Sequence, residues 1–170
     1  AELWFTGEAA PDGTPERLRQ KALILLAEWN GEMNEHLPEP LIAEAWLRAL
    51  TDRLIRDDIG PLASQFRHPD PIFLERVYRD INGASIWCDV VQSAPVESCA
   101  DLARIALDDA LLSLSESFRD GLIARIDAAG LAHGKVEAFA TPRRLAVRVK
   151  RLALTAPEQK IQRRGPPVAA

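Results

Sequence analysis

The hydrophobic period of this chain changes at Gly130, and that change restricts the possible folds more than any other feature. From Ser98 to Gly130, apolar residues recur at every third or fourth position. This predicts about thirty residues of helix, as one long helix or as two that meet near residues 113–117. Beyond Gly130 the period becomes two, which predicts strands. The alternating apolar residues are Leu145, Val147 and Val149.

Two longer helices and a short one are predicted upstream of that boundary. Thr14 followed by Pro15 is typical of a helix start, and one apolar face continues from there to Trp29. A second apolar stripe ends before Gly60, and Asp70 is placed to cap a short helix. The second stripe consists of Leu41, Ile42, Ala45, Trp46, Ala49 and Leu50.

The segment from Thr141 to Arg144 has the length of a hairpin connection. The strands on either side of it are therefore expected to pair antiparallel. The sequence predicts an α+β fold that is mainly α, in which a helical segment with one long helix is followed by a small antiparallel β-hairpin that packs on that helix.

The net charge of −4 conceals a difference between two parts of the chain. Residues 1–130 carry 12 basic and 23 acidic side chains, a net charge of −11, whereas residues 131–170 carry 9 and 2, a net charge of +7. The basic part is suited to contact with a polyanion, and the acidic part would be repelled by one. The chain therefore reads as two unlike segments.

The basic residues of the second part form a candidate nucleic-acid-binding strip. Alternation along a strand places Arg148 and Lys150 on one face of the predicted sheet. Phe139 is the aromatic residue nearby that could stack on a base. The alternative interpretation is a solvated strand face followed by a basic tail. The candidate residues are Arg143, Arg144, Arg148, Lys150, Arg151, Arg163 and Arg164, extended by Lys160.

Other kinds of site find little support in the sequence. His36, His68 and His133 have no recognisable spacing to a nucleophile, so we expect surface or loop roles for them. Cys88 and Cys99 lack the spacing of a zinc site and are too few for a disulfide scaffold, so free, buried and inert thiols are predicted. No phosphate-binding loop is recognisable, and no cofactor or metal is expected.

The sequence gives no sign of a membrane partner. No window has the length and composition of a membrane span, and the N-terminus lacks the zones of a signal peptide. A cytoplasmic location is the resulting expectation.

Four runs in the first two thirds of the chain carry a resemblance to a known family. They are residues 26–33 (LAEWNGEM), 68–71 (HPDP), 84–89 (ASIWCD) and 101–110 (DLARIALDDA). Through them, residues 1–112 resemble an internal segment of the large chain of penicillin acylases, which are N-terminal-nucleophile amide hydrolases. The resemblance implies a helical insert beside the four-layered αββα core of that family.

The same resemblance bears on catalysis. In that family the nucleophile is an N-terminal serine of the large chain, whereas the first residue here is Ala1. An α-amine can serve as base only for the hydroxyl or thiol of its own residue, and alanine has neither. We therefore expect this segment to lack the catalytic residues of its family.

A second resemblance covers the rest of the chain. It rests on residues 115–118 (SESF), 129–134 (AGLAHG), 139–146 (FATPRRLA) and 163–167 (RRGPP). Through them, residues 113–170 resemble the N-terminal region of the β subunit of bacterial tetrameric glycyl-tRNA synthetase. That subunit is needed for tRNA charging, while the α subunit handles ATP and glycine.

The boundary between the two segments lies near residues 111–113, inside an unbroken helical register. One helix is therefore able to cross it with its apolar stripe intact. Our leading hypothesis is a non-catalytic, chimera-like scaffold. The alternatives are a tRNA-contacting module of the glycine-tRNA ligase type, which would use the basic hairpin, and an amide hydrolase of the penicillin acylase type.

The synthetase-like segment lacks the opening strand of its family. One edge of the predicted sheet would then be unpaired and available to another chain. Self-association through that edge is a further expectation, beside contact with tRNA.

Overall fold

The structure is a computed structural model that describes residues 9–66, 68, 70–90, 94–142 and 144–156. Its helices are α1 (Pro15–Glu28), α2 (Pro38–Ile59), α3 (Pro71–Tyr78) and α4 (Cys99–Ala128). Short 3₁₀ helices span Gly60–Gln65 and Ala84–Cys88. Strands β1 (Val136–Thr141) and β2 (Arg144–Val149) form an antiparallel hairpin. The predicted α+β fold, mainly α, is confirmed.

Helix starts follow the capping residues in the sequence. The side-chain oxygens of Thr14, Asp70 and Ser98 each accept a hydrogen bond, 2.9–3.2 Å long, from a backbone N–H two or three residues later. Helix α2 has no such cap and begins at Pro38, earlier than its apolar stripe. A proline suits that position because its fixed φ is already helical and its missing N–H leaves no donor unpaired.

The core lies between α2 and α4 and continues onto α1. Trp46 packs against two groups of buried residues, and its indole Nε1 donates to the Ala103 carbonyl at 2.8 Å. The first group includes Leu50, Leu54, Val77, Leu102 and Ala106. The second group is Ala22, Leu25, Ile42, Leu107 and Leu111. Trp46 thus joins the two groups across α2 and α4.

Helix α4 runs without interruption through residues 111–113, so the prediction of one long helix is confirmed. Its 30 residues correspond to about 45 Å. Six of its eight buried residues lie before residue 112. Phe118, which continues the apolar register of residues 98–130, is nevertheless 44% exposed, and Leu41 of the α2 stripe is 53% exposed. A place on the apolar register therefore did not ensure burial at these two positions.

The prediction of free thiols is wrong, because Cys88 and Cys99 form a disulfide. Cys88 ends the second 3₁₀ helix and Cys99 begins α4, which brings their Cα atoms to 5.0 Å. The separation of 11 residues in sequence gives no hint of this approach. Cys88 is nevertheless buried, as predicted.

The hairpin packs on α4 and reaches α1 through its turn. Pro142 is buried in that turn. Together with Thr141 it lines a cavity of about 380 Å³ whose other walls are Lys21, Ile24 and Leu25 of α1. Both strands of the hairpin therefore contact α4, and its turn faces α1 across this cavity. Within the described part of the chain, no helix is long and apolar enough to cross a membrane.

Candidate nucleic-acid interface

The β-hairpin has an inner face and an outer face. Along β2, Leu145, Val147 and Val149 are half-buried, while the residues between them are exposed. The register places Glu137 opposite Arg148, so these two side chains are on the same, outward side. We call this side the outer face and define it by Lys135, Glu137, Phe139, Arg144, Arg148 and Lys150.

Three cations of the outer face converge on one carboxylate. Arg148 Nε donates to Glu137 Oε2 at 2.8 Å, and a second guanidinium N–H of Arg148 contacts the same oxygen. The ammonium groups of Lys135 and Lys150 lie 3.2 and 3.3 Å from Oε1. Hydrogen bonds from Arg148 first, and then from Lys135 and Lys150, hold the pKa of Glu137 at about 2. The carboxylate is therefore ionised throughout the physiological range.

Phe139 gives the outer face an exposed aromatic ring. Its side chain is 51% exposed, and the Arg148 guanidinium carbon lies 5.4 Å from the ring centroid. This is the geometry of a cation–π contact. An exposed aromatic ring on a basic sheet face is the arrangement on which single-stranded bases stack.

The structure brings together only part of the predicted strip. Arg144, Arg148 and Lys150 are exposed on the outer face as predicted. Arg151 has a φ of +52° and turns away from the strip, because its side chain lies against Gly134. A Cβ at Gly134 would come within 2.9 Å of Arg151 Nε. Arg143, Lys160, Arg163 and Arg164 lie outside the described residues.

Sequence reasoning missed two members of the outer face, Lys135 and Glu137. Lys135 was not recognised because it precedes β1, and Glu137 because one acid among many bases looks incidental. The signal that could have found them is the hairpin register, which sets Glu137 opposite Arg148. With both included, the outer face carries four cations and one anion.

His133 stabilises the connection between α4 and the hairpin. Its Nε2 lies 3.1 Å from Asp127 Oδ1, and its Nδ1 lies 3.0 Å from the carbonyl oxygen of Gly134. Both neighbours are acceptors, so only the doubly protonated ring donates to both. The Gly134 carbonyl and, next, Asp127 raise the pKa of His133 above its ordinary value of 6.5. The hairpin is thereby tied to the end of α4.

Backbone pairing continues beyond the two strands. The N–H groups of Gly134 and Ala153 donate to the carbonyls of Lys150 and Ala132, at 2.7 and 2.8 Å. These bonds extend the ribbon toward α4 and fix Lys150 relative to β1. The outer face is thus held from both ends, by this extension and by the buried turn.

The cysteines, His36 and His68 do not belong to the outer face. Both thiols are in the disulfide. His36 is exposed, with Nε2 3.7 Å from a carboxylate oxygen of Glu35, and His68 is exposed. Among the described residues, no group of three or more His, Cys, Asp or Glu side chains is arranged to hold a metal ion.

Comparison with known proteins gives two kinds of similarity. A family model described as penicillin amidase matches residues 3–164. The β subunit of glycine–tRNA ligase from Salmonella arizonae is 55% identical over 60 residues, and that from Cronobacter sakazakii is 54% identical over 61. These matches cover 35% and 36% of this chain, and the chain spans 9% of each relative's length. No solved structure matches.

Proposed function

This chain belongs to the penicillin amidase family, and we propose that it acts as a non-catalytic helical platform that presents its hairpin to tRNA. The observation that carries the proposal is the outer face itself, where an exposed Phe139 ring contacts Arg148 and shares the face with Lys135, Arg144, Lys150 and Glu137. The likeness of part of the chain to a subunit of glycine–tRNA ligase supports tRNA as the nucleic acid.

Each part of the outer face has a role in this proposal. Phosphate contacts from Arg148, Lys150 and Arg144 provide affinity that is independent of sequence and weakens with salt. Stacking on Phe139 selects unpaired bases over a duplex, because bases in a helix do not expose their faces. The helices contribute a fixed base for the hairpin, since both strands contact α4 and Pro142 of the turn is buried.

The test is tRNA binding, measured by fluorescence anisotropy at several salt concentrations. Replacing Arg148 and Lys150 with Gln should weaken binding and reduce the slope of log K against log salt by about two, one for each lost phosphate contact. The matched control replaces Arg48 and Arg56 with Gln, which removes the same charge from α2. An equal loss in both double variants would overturn the proposal.

The non-catalytic part of the proposal is tested by activity. Both thiols are oxidised to the disulfide, and His133 is engaged by Asp127 and Gly134. We expect neither hydrolysis of the amide bonds of penicillins nor charging of tRNA with glycine by this chain alone. Amide hydrolysis would establish the hydrolase alternative instead.

We also propose self-association through the hairpin. The described sheet has two strands, β1 and β2, so each strand has an outer edge that is not paired with a third strand in the described part of the chain. Such edges recruit other chains. Sedimentation should show a weight-average mass that rises with protein concentration, and a monomer at all concentrations would contradict this.

A cytoplasmic location belongs to the same proposal, because tRNA charging takes place there. Reducing compartments keep most thiols unpaired, so the Cys88–Cys99 disulfide would be open in that setting. The proposal therefore requires that the reduced chain stays folded and keeps its affinity for tRNA. Loss of binding on reduction would argue for an oxidising compartment.

A further inference from the structure

We infer that Glu137 occupies the position of a nucleic-acid phosphate on the outer face, and that binding replaces its carboxylate with a phosphodiester. The inference rests on the proposed function and adds to it a group that sets its strength. It assigns to Glu137 the role of an internal competitor for the cations Lys135, Arg148 and Lys150.

The Glu137 carboxylate has the contacts that a phosphodiester would make. Both oxygens of the carboxylate are used, with Arg148 at Oε2 and the two lysines at Oε1. A cross-strand pair that served only the hairpin would need one cation, and here three surround one anion. A phosphodiester offers two anionic oxygens to the same donors, and Arg binds such a pair through its forked N–H groups.

Glu137 is less exposed than the three cations that contact it. The side chain of Glu137 is 20% exposed, whereas those of Lys135, Arg148 and Lys150 are 72%, 60% and 49% exposed. The anion lies beneath and the cations lie above it. A polyanion that approaches from solvent meets the cations first, and these long side chains are able to turn from Glu137 to a phosphate without movement of the strands.

Phe139 and Glu137 share one cation, Arg148. Arg148 contacts the ring and Glu137 at the same time. While Glu137 holds Arg148, the guanidinium covers part of the ring to which a base would bind. Transfer of Arg148 to a phosphate frees the ring, so phosphate contact and base stacking become coupled steps.

The experiment compares three proteins for binding of a labelled tRNA at fixed ionic strength. Glu137→Gln removes the carboxylate charge and keeps the size of the side chain. Glu116→Gln is the matched control, because it makes the same charge change at an exposed site on α4. We expect Glu137→Gln to bind tRNA about five- to tenfold more tightly than wild type, because the weak ion pairs of Glu137 no longer compete with phosphate for the cations. The control should change affinity less than about twofold, as surface charges act weakly at a distance.

The outcomes distinguish the role of Glu137 from tRNA binding itself. If wild type binds and Glu137→Gln binds equally, or if both variants gain equally, the role of Glu137 is refuted and tRNA binding stands. If no variant binds tRNA, the proposed function and this inference fail together. Inorganic phosphate, titrated alone at the same ionic strength, separates the sources of the anion, because equal affinity for it and for tRNA would contradict a nucleic-acid site. Should Glu137→Gln fold poorly, Glu137→Thr removes the charge with a residue that favours strands.

Discussion

The helical part and the hairpin of this molecule are built on different principles. Leu54 and Leu107, on α2 and α4, are completely buried, so the helices are held by apolar packing. The hairpin has half-buried aliphatic residues on its inner face and an ion cluster on its outer face. Stability is therefore concentrated in the helices, and recognition of a nucleic acid is proposed for the hairpin. Changes in one part should affect mainly one property.

The largest expected effect on stability comes from removing apolar packing between the helices. Leu107→Ala should lower the free energy of unfolding by about 3–4 kcal/mol, because it leaves a cavity between α2 and α4. Val147→Ala in the hairpin should cost only about 1 kcal/mol, since its site is half-buried. Urea unfolding of both variants measures the difference. The exposed Leu112→Ala serves as control, and equal losses at residues 107 and 147 would contradict the division.

The disulfide should give the next largest effect. It closes a loop between residues 11 apart, and replacing both cysteines with serine should cost about 3 kcal/mol, by the entropy of loop closure in the unfolded chain. Thermal melting with and without reductant provides an independent check. Because this bond joins two helical elements far from the outer face in sequence, tRNA affinity should not change. A loss of affinity without unfolding would show that the two parts are coupled.

Phe139→Leu tests whether RNA bases stack on the aromatic ring of the hairpin. It keeps an apolar residue in β1 and removes the ring, so stability should change little, while affinity for single-stranded RNA should fall by about 1–2 kcal/mol. Binding of a short unstructured RNA is the measurement, with a duplex of the same length as comparison. If duplex and single strand lose equally, the ring does not stack on bases.

The smallest expected effect concerns His133, which lies in the connection between α4 and the hairpin. The pKa of His133 is raised in the folded state, so its contribution to stability is present below about pH 6.5, the unfolded value, and is lost as pH rises through the folded value. NMR titration of the imidazole should give a pKa above 6.5. Asp127→Asn should bring that pKa back toward the ordinary value. An unchanged pKa in Asp127→Asn would exclude the contact with Asp127 as a cause.

Much of the helical part was predictable because local signals decide it. Thr14, Asp70 and Ser98 cap the helices that follow them, and the register of α4 passes residues 111–113 without a break. The exposure of Phe118 was not predictable from that register, because periodicity identifies a face and does not say whether a neighbour covers it. The disulfide was missed for a related reason, since its two cysteines meet through tertiary structure.

The basic character of the outer face was predictable from the sequence, but the ion pairs formed on it were not. Alternation placed Arg148 and Lys150 together, but the ion cluster depends on which residue of β1 faces Arg148. That register is fixed by the turn at Thr141 and Pro142 and by packing on α4. A shift of one residue would have turned Glu137 toward the helix and left the cations without their shared anion.

In our proposal, one folded unit carries a tRNA-contacting face on its hairpin. Amide hydrogen exchange along the whole chain, with and without tRNA at low and moderate salt, tests it most directly. We expect uniform protection through residues 99–128, with added, salt-sensitive protection by tRNA confined to residues 135–150. Protection that breaks near Ser113, together with no response of the hairpin to tRNA, would contradict it.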